Sequence, residues 1–187
     1  MDTLHYEISE ELPLTHQADV IVVGSGPGGL GAAVTAARSG ARTLLIERYG
    51  VPGGMASVGE IHPFMGNHVE GKPLDRPVYT DWLQRMREYY PRQDKELHIS
   101  KEAAVLAAED LCLEAGVELL YHHQLFGAVV KERAIDGIVL FSKSGLSAAR
   151  AQVYIDCTGD ADLAARAGCD FEIGGPSGHC QPMTLCF

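Results

Sequence analysis

The chain lacks any apolar run near the ~18 residues that a membrane span requires, so nothing in it reads as transmembrane. Basic residues are scarce: 15 Lys and Arg against 25 Asp and Glu leave a net charge of −10. That is the wrong sign for a surface that neutralises phosphates along DNA or RNA, and no nucleic-acid partner is expected. Cys-x-x-Cys pairs are absent. The five cysteines, Cys112, Cys157, Cys169, Cys180 and Cys186, form an odd, dispersed set, and no basic stretch followed by an apolar run opens the chain. Both absences fit a reducing, cytoplasmic setting. No internal repeat is visible. What is present is 187 residues, 46% of them apolar, enough for one globular domain or one domain plus part of another, burying roughly 70% of its unfolded surface.

Residues 1–17 read as an acidic, solvated leader, because Asp2, Glu7, Glu10 and Glu11 face no lysine or arginine and Pro13 interrupts any helix. The texture then changes. Val20 to Val23 form a β-branched run of the kind found in a strand buried on both faces of a parallel sheet, and a glycine cluster follows. From Pro27 the pattern is helical, with Leu30, Ala33, Val34 and Ala37 on one stripe and Gly40 placed as a left-handed stop. A second apolar run, Thr43 to Ile46, ends on Glu47, completing a βαβ unit.

Residues 50–79 are rich in glycine and proline without a period and read as an excursion from the sheet; residues 55–99 as a whole are taken as an insertion toward the substrate side. Two helices are expected there and beyond, Thr80 to Tyr90 stopped by Pro91, and Ser100 to Ala115 closed by Gly116, with Val105, Leu106, Ala108, Leu111 and Cys112 as the buried stripe of the second. Residues 117–152 read as a small antiparallel meander of four strands. Val153 to Cys157 reads as another buried strand, ending in Thr158-Gly159-Asp160 before a helical turn from Asp162. Residues 18–187 are thus read as an α/β Rossmann-like domain, with a parallel sheet, an antiparallel meander and an inserted helical segment.

The chemistry concentrates in Gly24-Ser25-Gly26-Pro27-Gly28-Gly29, which satisfies Gly-x-Gly-x-x-Gly between a buried strand and an amphipathic helix. Gly24 allows the tight turn, Gly26 lets the backbone approach a pyrophosphate, and Gly29 lets the helix pack on the strand. Pro27 falls where a helix has no use for its missing N–H, and the free N–H groups beside it face an anion. Glu47 stands near the offset, about 20 residues on, at which a carboxylate accepts hydrogen bonds from an adenosine ribose. A carboxylate repels a 2′-phosphate; Arg48 beside it either restores affinity for one or faces solvent. The alternative is a glycine-rich turn that binds nothing. A Walker loop is excluded because no Gly-Lys-Ser/Thr follows.

Three stretches resemble the FAD-dependent oxidoreductases of the glutathione-reductase-like superfamily. They are Ala18 to Gly40; Leu45 to Gly50 followed by Gly53-Gly54-Met55-Ala56-Ser57; and Tyr154 to Asp160 continuing through Ala164 and Gly168. Gln181-Pro182-Met183-Thr184 is similar to an element of the heterodisulfide-reductase-A-like subgroup. The resemblance implies FAD as cofactor, held by Gly24 to Gly29, Glu47, Arg48, Gly53, Gly54, Met55, Thr158, Gly159 and Asp160. It implies hydride or electron transfer on a small-molecule substrate, with a nicotinamide or protein electron partner. Family members continue for a similar length again, so this chain is expected to be the N-terminal portion, with the substrate and flavin-ring half missing, and inactive by itself. Met-Ala-Ser after the glycine pair, where disulfide reductases carry paired cysteines, speaks against dithiol chemistry. Dispersed cysteines speak against iron–sulfur binding. Cys157 stands where the family usually has alanine and reads as a small buried hydrophobe.

No catalytic residue is assigned. His62, Asn67 and His68 are the nearest candidates to face flavin or substrate, and each also reads as a loop hydrogen-bonder. His122 and His123 are taken as neighbours on a strand, a poor geometry for one metal, and His5, His16, His98 and His179 fit no ligand pattern. Asp160 and Asp162 read as caps of the following helical turn. Two other functions remain open: a nicotinamide-dependent dehydrogenase, which shares Gly24 to Glu47 but does not predict the Gly53-Gly54 loop, and a non-catalytic dinucleotide-binding domain.

Overall fold

A computed structural model describes residues 11–61, 68–69, 72–73, 77–91 and 100–180. In chain order the elements are β1 (Leu14–Gln17), β2 (Val20–Val23), α1 (Pro27–Arg38), β3 (Thr43–Ile46), β4 (His68–Val69), β5 (Lys72–Pro73), α2 (Pro77–Tyr89), α3 (Lys101–Ala115), β6 (Glu118–Leu120), β7 (Gln124–Lys131), β8 (Ala134–Ser142), β9 (Gly145–Arg150), β10 (Val153–Asp156) and α4 (Asp162–Arg166). Among the described residues β2 and β3 are the inner strands of a four-stranded parallel sheet of order β10-β2-β3-β6.

The apolar runs at β2 and β3 exist because both faces of this sheet are covered. Val22 and Leu45 point into a layer built by Leu30, Ala33 and Val34 of α1, Trp82 and Met86 of α2, and Ala104, Ala107 and Ala108 of α3. Ile21, Val23, Leu44 and Ile46 point the other way, against Leu125, Ile138, Leu140 and Ala149 of β7 to β9 and Leu163 of α4. Each such Leu, Ile or Val, fully buried, contributes about 1.5–3 kcal/mol. The single tryptophan ties α2 to this layer: Trp82 is 1% exposed and donates its indole N–H to the carbonyl of Ala104 at 2.9 Å.

Several expectations need correction. The strand after Gly116 is not the first of the meander but the fourth strand of the parallel sheet, pairing Leu45 with Leu119 and Ile46 with Leu120; strand pairing is a tertiary choice that a short alternating run does not encode. The antiparallel meander is β7, β8 and β9. Leu14–Gln17 is not a free arm: it adds to the meander as a strand parallel to β9. It is mostly exposed, as an edge strand is, and so carries no apolar alternation. Helix α2 begins at Pro77, three residues before Thr80, because proline suits a first helical turn.

The apolar stripe of α3 is built chiefly of alanines, which allow close helix packing, while Leu106 is 44% exposed. Ser100 and Gly116 do cap that helix as read: the Ser100 hydroxyl accepts from the Ala103 N–H, and Gly116 is left-handed. Strand β10 is half-buried, not fully buried, with Val153 49% exposed. His122 is not on a strand; it follows β6 in a left-handed conformation, φ 56°.

Candidate functional site

The C-terminal ends of β2, β3 and β10 carry three turns that lock into one another. The first is the strand-to-helix turn. Gly24 is left-handed, φ 94°, and a Cβ there would sit 2.4 Å from the carbonyl oxygen of Cys157. At Gly29 a Cβ would sit 1.8 Å from the carbonyl oxygen of Gly24 and 3.3 Å from the Cβ of Cys157. These two glycines let α1 close on the sheet. Gly26 and Gly28 differ from them: a Cβ at either would meet nothing within 4 Å. Leu30 N–H to Gly26 carbonyl, at 2.9 Å, is the bond that starts α1, so the N–H groups of Gly28 and Gly29 lie in the first turn, where a helix favours an anion.

The second turn leaves β3. Glu47 is 6% exposed, and its Oε2 accepts from both the N–H of Ser25, at 2.9 Å, and the hydroxyl of Ser25, at 2.6 Å. Its Oε1 accepts from the Tyr49 N–H at 2.9 Å. The acid is thus held by the glycine turn itself. Gly53, left-handed at φ 104°, donates its N–H to the Ser25 carbonyl at 2.9 Å. A Cβ at Gly54 would lie 2.7 Å from Gly26 Cα. Ser57, fully buried, anchors the loop by donating to the Pro52 carbonyl at 2.6 Å.

The third turn returns from β10. Its organiser is Asp156, which sequence reasoning missed. Oδ1 of Asp156 accepts from the Thr158 N–H at 3.0 Å and from its hydroxyl at 2.7 Å, Oδ2 accepts from the Ala164 N–H at 2.9 Å, and Thr158 Oγ1 accepts from the Asp162 N–H at 2.9 Å. Asp156 and Thr158, not Asp160 and Asp162, therefore cap α4, whose N-cap residue is Ala161. The signal was present as Asp-x-Thr at a strand end, but a cap reaching forward eight residues has no fixed spacing to search for.

Burial alone would raise the Asp156 carboxyl; the N–H groups of Ala164 and Thr158, the Thr158 hydroxyl and the Leu163 N–H outweigh it and hold the group below the usual 3.8. A depressed carboxyl contributes stability that is present above the unfolded pKa and is lost as pH falls through the folded one. Asp156→Asn should therefore cost about 2 kcal/mol near neutrality, with the gap between variant and parent closing below about pH 4. Urea unfolding at neutral and acid pH measures both.

Of the residues singled out from sequence, Gly24, Ser25, Gly26, Pro27, Gly28, Gly29, Glu47, Gly53, Gly54 and Thr158 converge on this edge. Arg48, next to Glu47, is exposed at the rim of this edge, with its guanidinium 4.9 Å from the ring of its neighbour Tyr49. Met55 is 54% exposed, and Gly159 and Asp160 are exposed as well. Cys157 is half-buried behind Gly29, and burial raises its thiol pKa, as expected of a packing residue. His62, Asn67, His5, His98, Cys186 and Gln181 to Thr184 lie outside the described residues, as does the side chain of His68. Among the described residues no group of three His, Cys, Asp or Glu is placed to hold a metal. A cleft of 460 Å³ between α1 and the start of α2, lined by Leu30, Gly31, Pro77, Val78 and Trp82, meets the glycine turn only at Pro27 and Gly28.

A parallel sheet with a glycine turn, a linked acid and helices packed on it defines a dinucleotide-binding fold. The family model described as FAD dependent oxidoreductase matches residues 19–187, and the chain belongs to that family. It is 36% identical over 83 residues to the soluble pyridine nucleotide transhydrogenase of Escherichia coli, across 42% of this chain and 18% of that enzyme. The chain thus spans about a fifth of that relative's length. In fold it is similar to the anhydrotetracycline hydroxylase OxyS of Streptomyces rimosus, with a TM-score of 0.60 at 20% identity over 86% of this chain and 36% of that one. L-proline dehydrogenase of P. horikoshii gives a TM-score of 0.59 at 15% identity over 87% of this chain and 58% of that one. The cofactor of the family is FAD, and the open space over Gly26 and Gly28, beside the free N–H groups of the first helical turn, leaves room for an anionic group to approach the backbone.

Proposed function

We propose that this chain is the FAD-binding portion of an oxidoreductase that acts on a small-molecule substrate. The observation that carries the reading is the docking of the Gly53-Gly54 loop onto Ser25 and Gly26. A nicotinamide dehydrogenase needs the turn and the acid but not this second glycine pair. When bound, the flavin supplies the hydride or electron transfer, and the protein supplies position and electrostatics.

In this reading the N–H groups at the start of α1 hold the diphosphate while Gly26 and Gly28 leave it room, and Glu47 accepts from the adenosine ribose. Gly53, Gly54 and the Thr158 to Asp160 return flank the cofactor. Arg48 and Met55 contribute from the rim. The transhydrogenase likeness supports a nicotinamide electron partner. Among the described residues Cys112, Cys157, Cys169 and Cys180 are free cysteines, which supports a reducing, cytoplasmic setting; among the same residues no helix is long and apolar enough to cross a membrane. The likeness of Gln181 to Thr184 supports the heterodisulfide-reductase-A-like subgroup.

Glu47→Gln tests the assignment of the acid. The amide places a donor or a neutral oxygen where Ser25 offers two donors, and the affinity for FAD should fall roughly tenfold or more. A flavin-fluorescence titration reads the result, and an unchanged affinity would remove Glu47 from the site.

A further inference from the structure

The bonding around Glu47 has a consequence for how it can hold a sugar. An ionised carboxylate offers about four acceptor positions, two on each oxygen. Both positions on Oε2 are taken, by the N–H and the hydroxyl of Ser25, and one on Oε1 is taken by the Tyr49 N–H. Ser25 is 0% exposed, and a hydroxyl donating to a carboxylate at 2.6 Å is a charge-assisted bond that a sugar hydroxyl does not readily displace. One acceptor position remains, on Oε1.

We propose that Ser25 is a positioning residue that turns Glu47 into a clamp for a single ribose hydroxyl. An acid with both oxygens free would bracket the neighbouring 2′- and 3′-hydroxyls together. Here Oε2 is spent inside the protein, so that one hydroxyl is gripped through Oε1 and the other is left to water or to the rim. The inference rests on Glu47 being the ribose acid, and the two ideas fail differently.

The test is a calorimetric titration of the 187-residue chain with ADP, 2′-deoxy-ADP and 3′-deoxy-ADP. One deoxy analogue should bind roughly tenfold more weakly than ADP, the loss of one hydrogen bond to a charged group, while the other stays within about twofold. Ser25→Ala frees one position on Oε2, and both analogues should then bind more weakly than ADP. Ser25→Gly removes the same hydroxyl without constraining the turn and should give the same symmetric pattern, so that the comparison with the parent stands on either variant if the other fails to fold. Equal losses for both analogues in the parent, or an asymmetry that persists in the variants, would overturn the role of Ser25. Binding of all three with equal affinity would instead overturn the placing of Glu47 at the ribose, and the clamp with it.

Discussion

Replacing Gly29 with alanine is expected to cost more than about 3 kcal/mol of folding free energy, the upper range for overpacking a rigid interior. The new Cβ would lie 1.8 Å from the carbonyl oxygen and 2.9 Å from the carbonyl carbon of Gly24. Neither atom can retreat cheaply. Gly24 is fixed by its N–H bond to the Ile46 carbonyl at 2.8 Å, and Cys157, on the far side, by its N–H bond to the Val23 carbonyl at 2.8 Å. Relief would require α1 to lift off the sheet, uncovering Leu30, Ala33 and Val34. Chemical denaturation of purified variant and parent gives the difference directly. A cost under about 1 kcal/mol would mean that the helix does not approach the strand this closely.

Gly26→Val should do the reverse, leaving the fold intact and abolishing retention of the nucleotide. Gly26 has φ −62° and ψ −179°, a conformation open to any residue, and a Cβ there meets no atom within 4 Å. Folding stability should change by no more than about 1 kcal/mol. The isopropyl group instead fills the space that the proposed diphosphate site needs, and a clash of about 3 kcal/mol lowers affinity about 100-fold. Thermal melting and FAD binding, measured on the same preparation, separate the two effects. A valine variant that binds FAD as the parent does would place the diphosphate elsewhere.

The glycines of this turn also show what the sequence makes legible. In Gly-x-Gly-x-x-Gly each glycine answers one local steric demand between a strand and a helix, and the structure gives Gly24 and Gly29 the tight turn and close packing assigned to them. The runs at β2 and β3 were equally readable, because burial on both faces leaves Val20 to Val23 and Leu44 to Ile46 unbroken by polar residues. Residues whose role depends on a distant partner were not readable. The three residues Glu118–Leu120 carry no local mark that pairs β6 with β3, and nothing local makes Leu14–Gln17 a neighbour of β9.

The same limit hid the polar wiring of the site. Ser25 and Glu47 were each singled out, but their bond spans 22 positions and forms only when the sheet brings β2 and β3 together. Asp156 was passed over for Asp160 and Asp162, which sit closer to the helix in sequence. The backbone turns back at Gly159, φ 90°, and puts the earlier acid at the helix end.

Equilibrium dialysis of the folded chain against FAD, followed by the visible spectrum of the protein compartment, tests the diphosphate cradle most directly. One FAD should be retained per chain, read from the flavin band of the protein compartment, and none by Gly26→Val. A folded parent chain that retains no FAD would contradict the assignment of this edge as a flavin site.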